Sequence, residues 1–168
     1  MNLPKRKKNR LQNFDYAQNG AYFITICTRN RKKILSDIVG AGVLDCPKTK
    51  LLYHGEIADK YIKQIGDFYY NISIDKYVIM PDHIHLIVTV KNGRSGTPAP
   101  TGEKNKNSGI TEFVSTFKRY CNNEIGENIW QRSYYDHIIR DRNDYNEIWE
   151  YIENNPKKRI LTHKTQDA

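Results

Sequence analysis

The chain of 168 residues has few cysteines and no long apolar segment. Its three cysteines, Cys27, Cys46 and Cys121, lie far apart, and no C-x-x-C pair occurs. This spacing argues against a disulfide scaffold or a zinc ribbon and is typical of a reducing compartment. No apolar run approaches the roughly 20 residues of a membrane-spanning helix. Because no apolar stretch follows the basic N-terminus, we expect no secretory signal, no membrane association and a cytoplasmic location.

Negative charge is in short supply. Lys and Arg number 27 against 19 Asp and Glu, which gives a formal net charge of +8. A sequence pI near 9.3 favours polyanionic partners, nucleic acid first, with a soluble basic surface as the alternative. Residues 1–13 hold a run of mutually repelling cations. They predict a flexible basic tail that serves either as a phosphate-binding arm or as a solubilising end.

The order of apolar patterns predicts alternating strands and helices. Runs of β-branched and aromatic residues predict strands at 21–28, 72–80, 83–90 and 133–140. Helical spacing predicts helices at 51–68, 111–124 and 141–154. Residues 33–50 indicate a loop or a short hairpin, and residues 91–108, rich in Gly, Pro, Ser and Lys, indicate a flexible loop. Pro156 is expected to end the last helix, because proline disfavours helical geometry at the residue before it.

The predicted order β, α, β, β, α, β, α favours an α+β fold of ferredoxin-like type. In this fold class an antiparallel sheet is flanked by α-helices, and we expect the helices to pack on one face. The length suits a single core. We therefore expect one domain over residues 14–160 and a C-terminal tail at 161–168.

Two histidines, His83 and His85, interrupt an otherwise apolar strand. Side chains alternate between the faces of a strand, so both histidines share one face, while the other face is wholly apolar and contacts the helices. We expect the histidine face to be more open. Residues i and i+2 lie roughly 6.5–7 Å apart, so the two imidazoles can converge on one cation. Two structural, hydrogen-bonded histidines remain the alternative, because H-x-H is a short pattern.

The last predicted helix has an apolar stripe at its centre and two polar residues at the edge of that stripe. Tyr151 and Asn155 are four residues apart and stack on the same side, where a side chain can face a cleft. A boundary tyrosine and a helix C-cap asparagine are the alternatives. Asn155 also precedes Pro156, which favours a position outside helical geometry. The stripe consists of Tyr145, Ile148, Trp149 and Ile152.

Several long segments resemble one family in sequence and in order. The chain resembles the IS200/IS605-type single-tyrosine transposases, and most of all their REP-associated branch, the RAYT proteins. The resemblance covers nearly the whole chain except the loop at 91–108 and the two tails. The matching segments are FDYAQNGAYFITICT (14–28), YVIMPDHIHLIV (77–88), ITEFVSTFKRY (110–120), IWQRSYYDHIIR (129–140) and YIENNPKKR (151–159).

This resemblance implies an HUH endonuclease fold and assigns a role to each candidate residue. In the family, the paired histidines bind a divalent metal, Mg²⁺ or Mn²⁺, and match His83 and His85. The tyrosine of the Y-x-x-x-[QN] motif is the nucleophile and matches Tyr151. The polar residue one turn later is the third metal ligand and matches Asn155.

The implied reaction is cleavage and rejoining of hairpin-containing single-stranded DNA through a 5′-phosphotyrosine intermediate. The implied partners are hairpins such as REP-like palindromes, and the implied assembly is a monomer or a homodimer. A second candidate function is that of a domesticated hairpin-DNA or RNA-binding protein that no longer cleaves. A third is a metal-dependent phosphodiesterase that uses water and forms no adduct.

Basic and aromatic residues near these motifs are candidates for contacts with DNA. For the aromatic residues, a position in the core is the alternative to base stacking. The basic candidates, besides the N-terminal tail, are Lys118, Arg119, Arg132, Arg140, Lys157 and Lys158. The aromatic candidates are Trp130, Tyr134 and Tyr135.

Overall fold

The computed structural model describes residues 18–40, 47–91 and 109–164. The predicted basic tail at 1–13 and nearly all of the predicted loop at 91–108 lie outside these ranges. The division into one domain and two tails therefore stays a prediction.

Six strands and four α-helices occur in the described part of the chain. Their order is β1 (Gly20–Cys27), β2 (Ser36–Val39), β3 (Lys48–Leu51), α1 (Tyr53–Lys63), α2 (Ile65–Phe68), β4 (Ile72–Met80), β5 (His83–Val90), α3 (Ile110–Ile125), β6 (Tyr135–Ile139) and α4 (Arg142–Lys164). The predicted helix at 51–68 is divided between α1 and α2, and the predicted last strand is shorter at both ends.

Four strands form one antiparallel sheet in the order β4-β5-β1-β6. With α1 between β1 and β4, and α3 between β5 and β6, this is the β-α-β-β-α-β order of a ferredoxin-like fold. The predicted fold class is confirmed. Strands β2 and β3 pair separately as an antiparallel hairpin, which decides between the two alternatives for residues 33–50.

The sheet is covered on both faces, so the expectation of helices on one face is wrong. One face carries Ile24, Ile84 and Leu86, which pack in one core with α1 and α3. The other face carries the two histidines and lies against α4. Trp149 of α4 contacts Lys76 of β4, whose ammonium group lies 4.6 Å from the indole centroid.

The helix α4 continues through Pro156 to Lys164, so the predicted end at Asn154 is wrong. Pro156 is buried, and Arg159, beyond it, is held by an ion pair to Asp82 with a nitrogen–oxygen distance of 2.7 Å. These tertiary contacts hold the helix on both sides of the proline and outweigh its local penalty. Asn155 is therefore inside the helix, and the C-cap interpretation is also wrong.

Gly55 in α1 provides a test of how closely this helix approaches the backbone of Leu35, the residue just before β2. A Cβ atom at this position would collide with the backbone carbonyl of Leu35. We expect Gly55→Ala to lower the free energy of unfolding by about 2 kcal/mol or more, because backbone must move to relieve the overlap.

Gly66 in α2 is the matched control, because a Cβ there meets nothing within 4 Å. Gly66→Ala should leave stability unchanged or raise it by about 0.5–1 kcal/mol. Urea unfolding followed by circular dichroism measures both variants. Equal stability of Gly55→Ala and the wild type would contradict the described packing.

Candidate functional site

The turn at Pro81 and Asp82 joins β4 to β5 and places the two histidines at the start of β5. His83 and His85 share a face, as expected, but that face is not open. Their exposed fractions are 8% and 6%. The expectation of an open histidine face is wrong, because α4 covers this side of the sheet.

Each imidazole is oriented by a hydrogen-bonding partner on Nδ1. Nδ1 of His83 lies 2.8 Å from Oδ1 of Asp82. Nδ1 of His85 lies 2.8 Å from Oγ1 of Thr25, which is its direct cross-strand neighbour on β1. The two Nε2 atoms then face each other at 3.1 Å. Such partners on the outer nitrogen are typical of metal-binding histidines.

This arrangement fits a divalent ion. The Asp82 carboxylate accepts the Nδ1–H of His83, which leaves a lone pair on Nε2. If Thr25 accepts from His85 in the same way, two lone pairs oppose each other across 3.1 Å. Metal–nitrogen bonds of about 2.1 Å at a right angle place two ligand atoms about 3.0 Å apart. A cation between the rings therefore relieves the repulsion.

Burial keeps both imidazoles neutral. Burial is the main cause that lowers the pKa of His85 to about 3, and the nearby His83 and Arg31 contribute to the same shift. Burial also lowers the pKa of His83, although the hydrogen bond to Asp82 opposes this shift. Burial alone would raise the pKa of Asp82, but hydrogen bonds from His83 and Arg159 bring it below its ordinary value. Neutral imidazoles are the form that binds metals.

Tyr151 reaches the histidine pair from α4. Its hydroxyl lies 3.5 Å from Nε2 of His85, and 38% of the residue is exposed. The Tyr151 ring meets the Phe23 ring edge-on at 6.0 Å between centroids, and Phe23 also stacks on His85. The Lys158 ammonium group lies 5.2 Å from the centre of the Tyr151 ring. The nucleophile candidate is thus held next to the imidazoles while it remains open to solvent.

Asn155 is 7% exposed and lies between two residues of α4 that contact the site. Tyr151, one turn before it, contacts His85, and Arg159, one turn after it, bonds Asp82. Residues four apart lie on the same side of a helix. Asn155 therefore faces the sheet in line with the histidine pair.

Four residues of this site were not identified from the sequence. Asp82 directly precedes the H-x-H pattern, and Arg159 follows Tyr151 at a spacing of eight, so both carried a usable signal. Thr25 and Phe23 contact His85 only through the register of β1 with β5. That register depends on contacts about 60 residues apart in the chain.

The basic candidates divide into two groups. Lys118 donates to the backbone carbonyls of Gln131 at 2.8 Å and Ser133 at 3.1 Å, so its position has a structural explanation. The other basic candidates are exposed: Arg119, Arg132, Arg140, Lys157 and Lys158.

The aromatic candidates divide in the same way. Trp130 and Tyr134 are buried in the core, which agrees with the alternative considered for them. Tyr135 is 52% exposed. It lies opposite Thr25 in the β1–β6 pairing and so shares the sheet face of the histidines.

Two features are absent from the described residues. Residues 18–40, 47–91 and 109–164 contain no group of three His, Cys, Asp or Glu side chains arranged for a metal. The proposed ligand set does not require one, since its third member is an amide. The helices in these ranges are all too short or too polar to cross a bilayer.

The protein has a ferredoxin-like sheet with two histidines on one strand. Its final helix brings a tyrosine next to these histidines. The sequence profile of the family described as "Transposase IS200 like" matches residues 16–155. The chain belongs to this family.

The chain is also similar to curated proteins and to a solved structure. An uncharacterized protein of Haemophilus influenzae is 33% identical over 165 residues, with 90% of this chain and 88% of the relative covered. A "REP-associated tyrosine transposase" of Escherichia coli is 28% identical over 152 residues, with 90% and 75% covered. The solved structure of a REP-associated tyrosine transposase bound to a REP hairpin has a TM-score of 0.61 and 22% identity, with 89% and 74% covered. The structural likeness supports the fold.

The buried histidines predict a pH dependence of stability in metal-free protein. Below the ordinary histidine pKa near 6.5 the unfolded chain binds a proton at His85, whereas the folded chain does so only near pH 3. Stability is therefore lost as the pH falls from 6.5 towards 3.

We expect the wild type to lose about 2 kcal/mol more unfolding free energy between pH 7 and pH 5 than His85→Gln. Urea unfolding in EDTA at both pH values measures the difference. Parallel losses in the two proteins would show that His85 is not held neutral by burial.

Proposed function

We propose that the protein is a DNA transposase that cleaves and rejoins hairpin-containing single-stranded DNA through a 5′-phosphotyrosine on Tyr151. The observation that carries this proposal is the 3.5 Å approach of the Tyr151 hydroxyl to His85. Membership of the IS200-like family supports the reaction class. The relatives named for REP association, one of them bound to a REP hairpin, together with the net charge of +8, support DNA hairpins as partners.

The proposed reaction is a transesterification. The Tyr151 oxygen forms a bond to a backbone phosphorus as the bond from phosphorus to the 3′ oxygen of the preceding nucleotide breaks. The tyrosine loses its proton, and the departing 3′ oxygen gains one. Because the phosphodiester energy is retained in the adduct, the 3′ hydroxyl of another strand can attack it and reseal the backbone.

His85 serves to position the Tyr151 oxygen. A free tyrosine has a pKa near 10, and an imidazole whose pKa is about 3 is a weak acceptor for its proton. The Lys158 ammonium group lies over the Tyr151 ring, and this cation–π contact helps to hold the ring in position.

The residues present fit a divalent cofactor, either Mg²⁺ or Mn²⁺. His83, His85 and Asn155 would hold it, and when bound it would polarise the scissile phosphate as a Lewis acid. Two neutral imidazoles and one amide are weak ligands for a hard ion, which prefers oxygen. Tight binding of the ion therefore requires the phosphate oxygens of the substrate.

Removal of the nucleophile is the first test. Tyr151→Phe should retain DNA binding and lose the covalent adduct, with cleavage reduced at least about 1000-fold, because the attacking oxygen is absent. A single strand that contains a palindromic repeat from the flanks of the gene, labelled at its 3′ end, is incubated with Mg²⁺ and run on a denaturing gel. The 3′ fragment carries the adduct.

Tyr145→Phe is the matched control, since it removes a hydroxyl from the same helix at a group that bonds Asp75. It should form the adduct normally. An adduct that persists in Tyr151→Phe would sink the assignment of Tyr151. Wild-type protein that binds the hairpin without any adduct would instead support the non-cleaving alternative.

The third metal ligand can be tested with two neighbouring asparagines. Asn155→Ala should raise the Mg²⁺ concentration for half-maximal cleavage at least about tenfold, because one ligand is lost. Asn154→Ala should leave it unchanged, since the Asn154 amide bonds the carbonyl of Glu150 on its own helix. The titration is read from cleavage rates. Equal Mg²⁺ requirements in the two variants would remove Asn155 from the ligand set.

A further inference from the structure

A basic loop lies beside the histidine site and is not used by the proposed mechanism. It follows β1, and its consecutive residues Arg29, Asn30, Arg31, Lys32 and Lys33 are all exposed. Four of the five carry positive charge. An exposed run of cations next to a proposed DNA-cleaving centre is well placed to bind phosphate groups.

The loop is held in a strained conformation. Asn30 has φ 56° and Arg31 has φ 55°, both in the left-handed region. Asparagine tolerates this region, but arginine seldom adopts it. The hydroxyl of Thr28 lies 2.8 Å from the carbonyl oxygen of Lys32 and 3.0 Å from that of Asp82, and its single proton can be donated to either. Strained backbone of this kind is concentrated at ligand-binding sites.

A cavity of about 240 Å³ is lined in part by Arg29, Asn30 and Lys32 of this loop. Its walls come from the loop, from the start of α1 and from the connection between α3 and β6. Polar side chains dominate the walls, and Ile34 and Ile129 contribute apolar surface. The polar side chains that line the cavity are Arg29, Asn30, Lys32, His54, Glu127 and Asn128.

We propose that this cavity binds one unpaired nucleotide of single-stranded DNA, with the base inside and the adjoining phosphates on Arg29 and Lys32. The proposal rests on the DNA-cleaving function proposed above and adds a second contact to the same substrate. The volume supports a single base, because pockets for drug-sized molecules begin at about 300 Å³.

The side chains supply each kind of contact that a splayed base requires. His54 offers an aromatic face, and the Tyr53 ring meets it edge-on at 5.5 Å. Aromatic faces stack on bases without regard to sequence. The Asn30 amide can pair with a base edge, and the Glu127 carboxylate accepts from an exocyclic amino group. Adenine, cytosine and guanine carry such a group and thymine does not, so thymine is the disfavoured base.

The start of α1 adds to the positive potential at this cavity. The helix begins at Tyr53, and its N-cap residue is Leu52, whose side chain has no hydrogen-bonding group. The free amide groups of a helix N-terminus attract anions. His54 in this first turn lines the cavity, so a phosphate on Lys32 would lie near the helix start.

The loop also links the cavity to the proposed catalytic centre. The Arg31 guanidinium lies 3.6 Å from the carboxylate of Asp82, which orients His83. Its neighbours Asn30 and Lys32 line the cavity. A strand with one base in the cavity would therefore continue past Arg31 to the histidine pair. The cavity would then fix which phosphate is presented to Tyr151.

Binding is measured in the Tyr151→Phe protein, so that cleavage does not enter the result. The probes are fluorescein-labelled dA12, dC12 and dT12, and fluorescence anisotropy is recorded over a range of salt concentrations. Arg29→Ala with Lys32→Ala should weaken dA12 binding about tenfold. It should also lower the slope of log affinity against log salt by about 1.4, since each lost phosphate contact on a single strand contributes about 0.7.

The matched control is Lys48→Ala with Lys50→Ala, two exposed residues of β3 that do not line the cavity. It removes the same charge and should leave the slope within about 0.3 of the starting protein. Equal effects of the two double variants would overturn the proposal, because they would reflect net charge alone. Circular dichroism confirms that each variant is folded.

Base recognition is tested by two single variants. The starting protein should bind dA12 or dC12 at least about fivefold more tightly than dT12. Asn30→Gly keeps the left-handed backbone and removes the amide, and Glu127→Ala removes the acceptor. Each should reduce that preference to about twofold or less. An unchanged preference in both variants, or no preference in the starting protein, would overturn the assignment of the cavity as a base pocket.

The two proposals fail in different ways. If Tyr151 forms no adduct in the wild type but the binding results hold, the cleavage function is wrong and the cavity assignment stands. If the adduct forms and the cavity variants bind like the control, the cavity assignment is wrong and the cleavage function stands.

Discussion

The carboxylate of Asp82 joins the three parts of the chain that build the site. It accepts hydrogen bonds from His83 at 2.8 Å and from Arg159 of α4 at 2.7 Å, and Arg31 lies 3.6 Å away. The pair between Arg159 and Asp82 is partly buried, so removing one partner would leave the other charge uncompensated in a partly desolvated position. This interaction holds the second half of α4 on the histidine face. The position of Tyr151 above His85 depends on that docking.

The two faces of the sheet have separate tasks, and this division makes a buried polar site tolerable. The face that carries Ile84 and Leu86 packs in one hydrophobic core with α1 and α3. The opposite face can then hold histidines, because its polar groups have partners in Thr25 and Asp82. Burial without such partners would cost several kcal/mol for each group.

Local patterns in the sequence were sufficient for the fold class and grouped the candidate site residues, whereas the role of each candidate came from the resemblance to the family. Alternation along residues 83–90 placed the histidines on one face, and helical spacing grouped Tyr151 with Asn155. What local patterns could not predict depends on contacts distant in the chain. The continuation of α4 beyond Pro156 requires the bond between Arg159 and Asp82, which are 77 residues apart. The closed histidine face has the same origin, since it exists only when α4 is docked.

The shared carboxylate also connects the basic loop to the helix that carries the nucleophile. Arg31 and Arg159 approach different oxygens of Asp82, one from the loop after β1 and the other from α4. Any force that moves Arg31 changes the electrostatic balance at Asp82, and with it the strength of the bond that orients His83. The left-handed backbone at Arg31 limits such movement, and the Thr28 hydroxyl, close to the carbonyls of Lys32 and Asp82, ties the loop to the turn before β5. Strain in the loop therefore contributes to the fixed geometry of the histidine pair. Among the described residues, no loop residue forms a hydrogen bond to either imidazole.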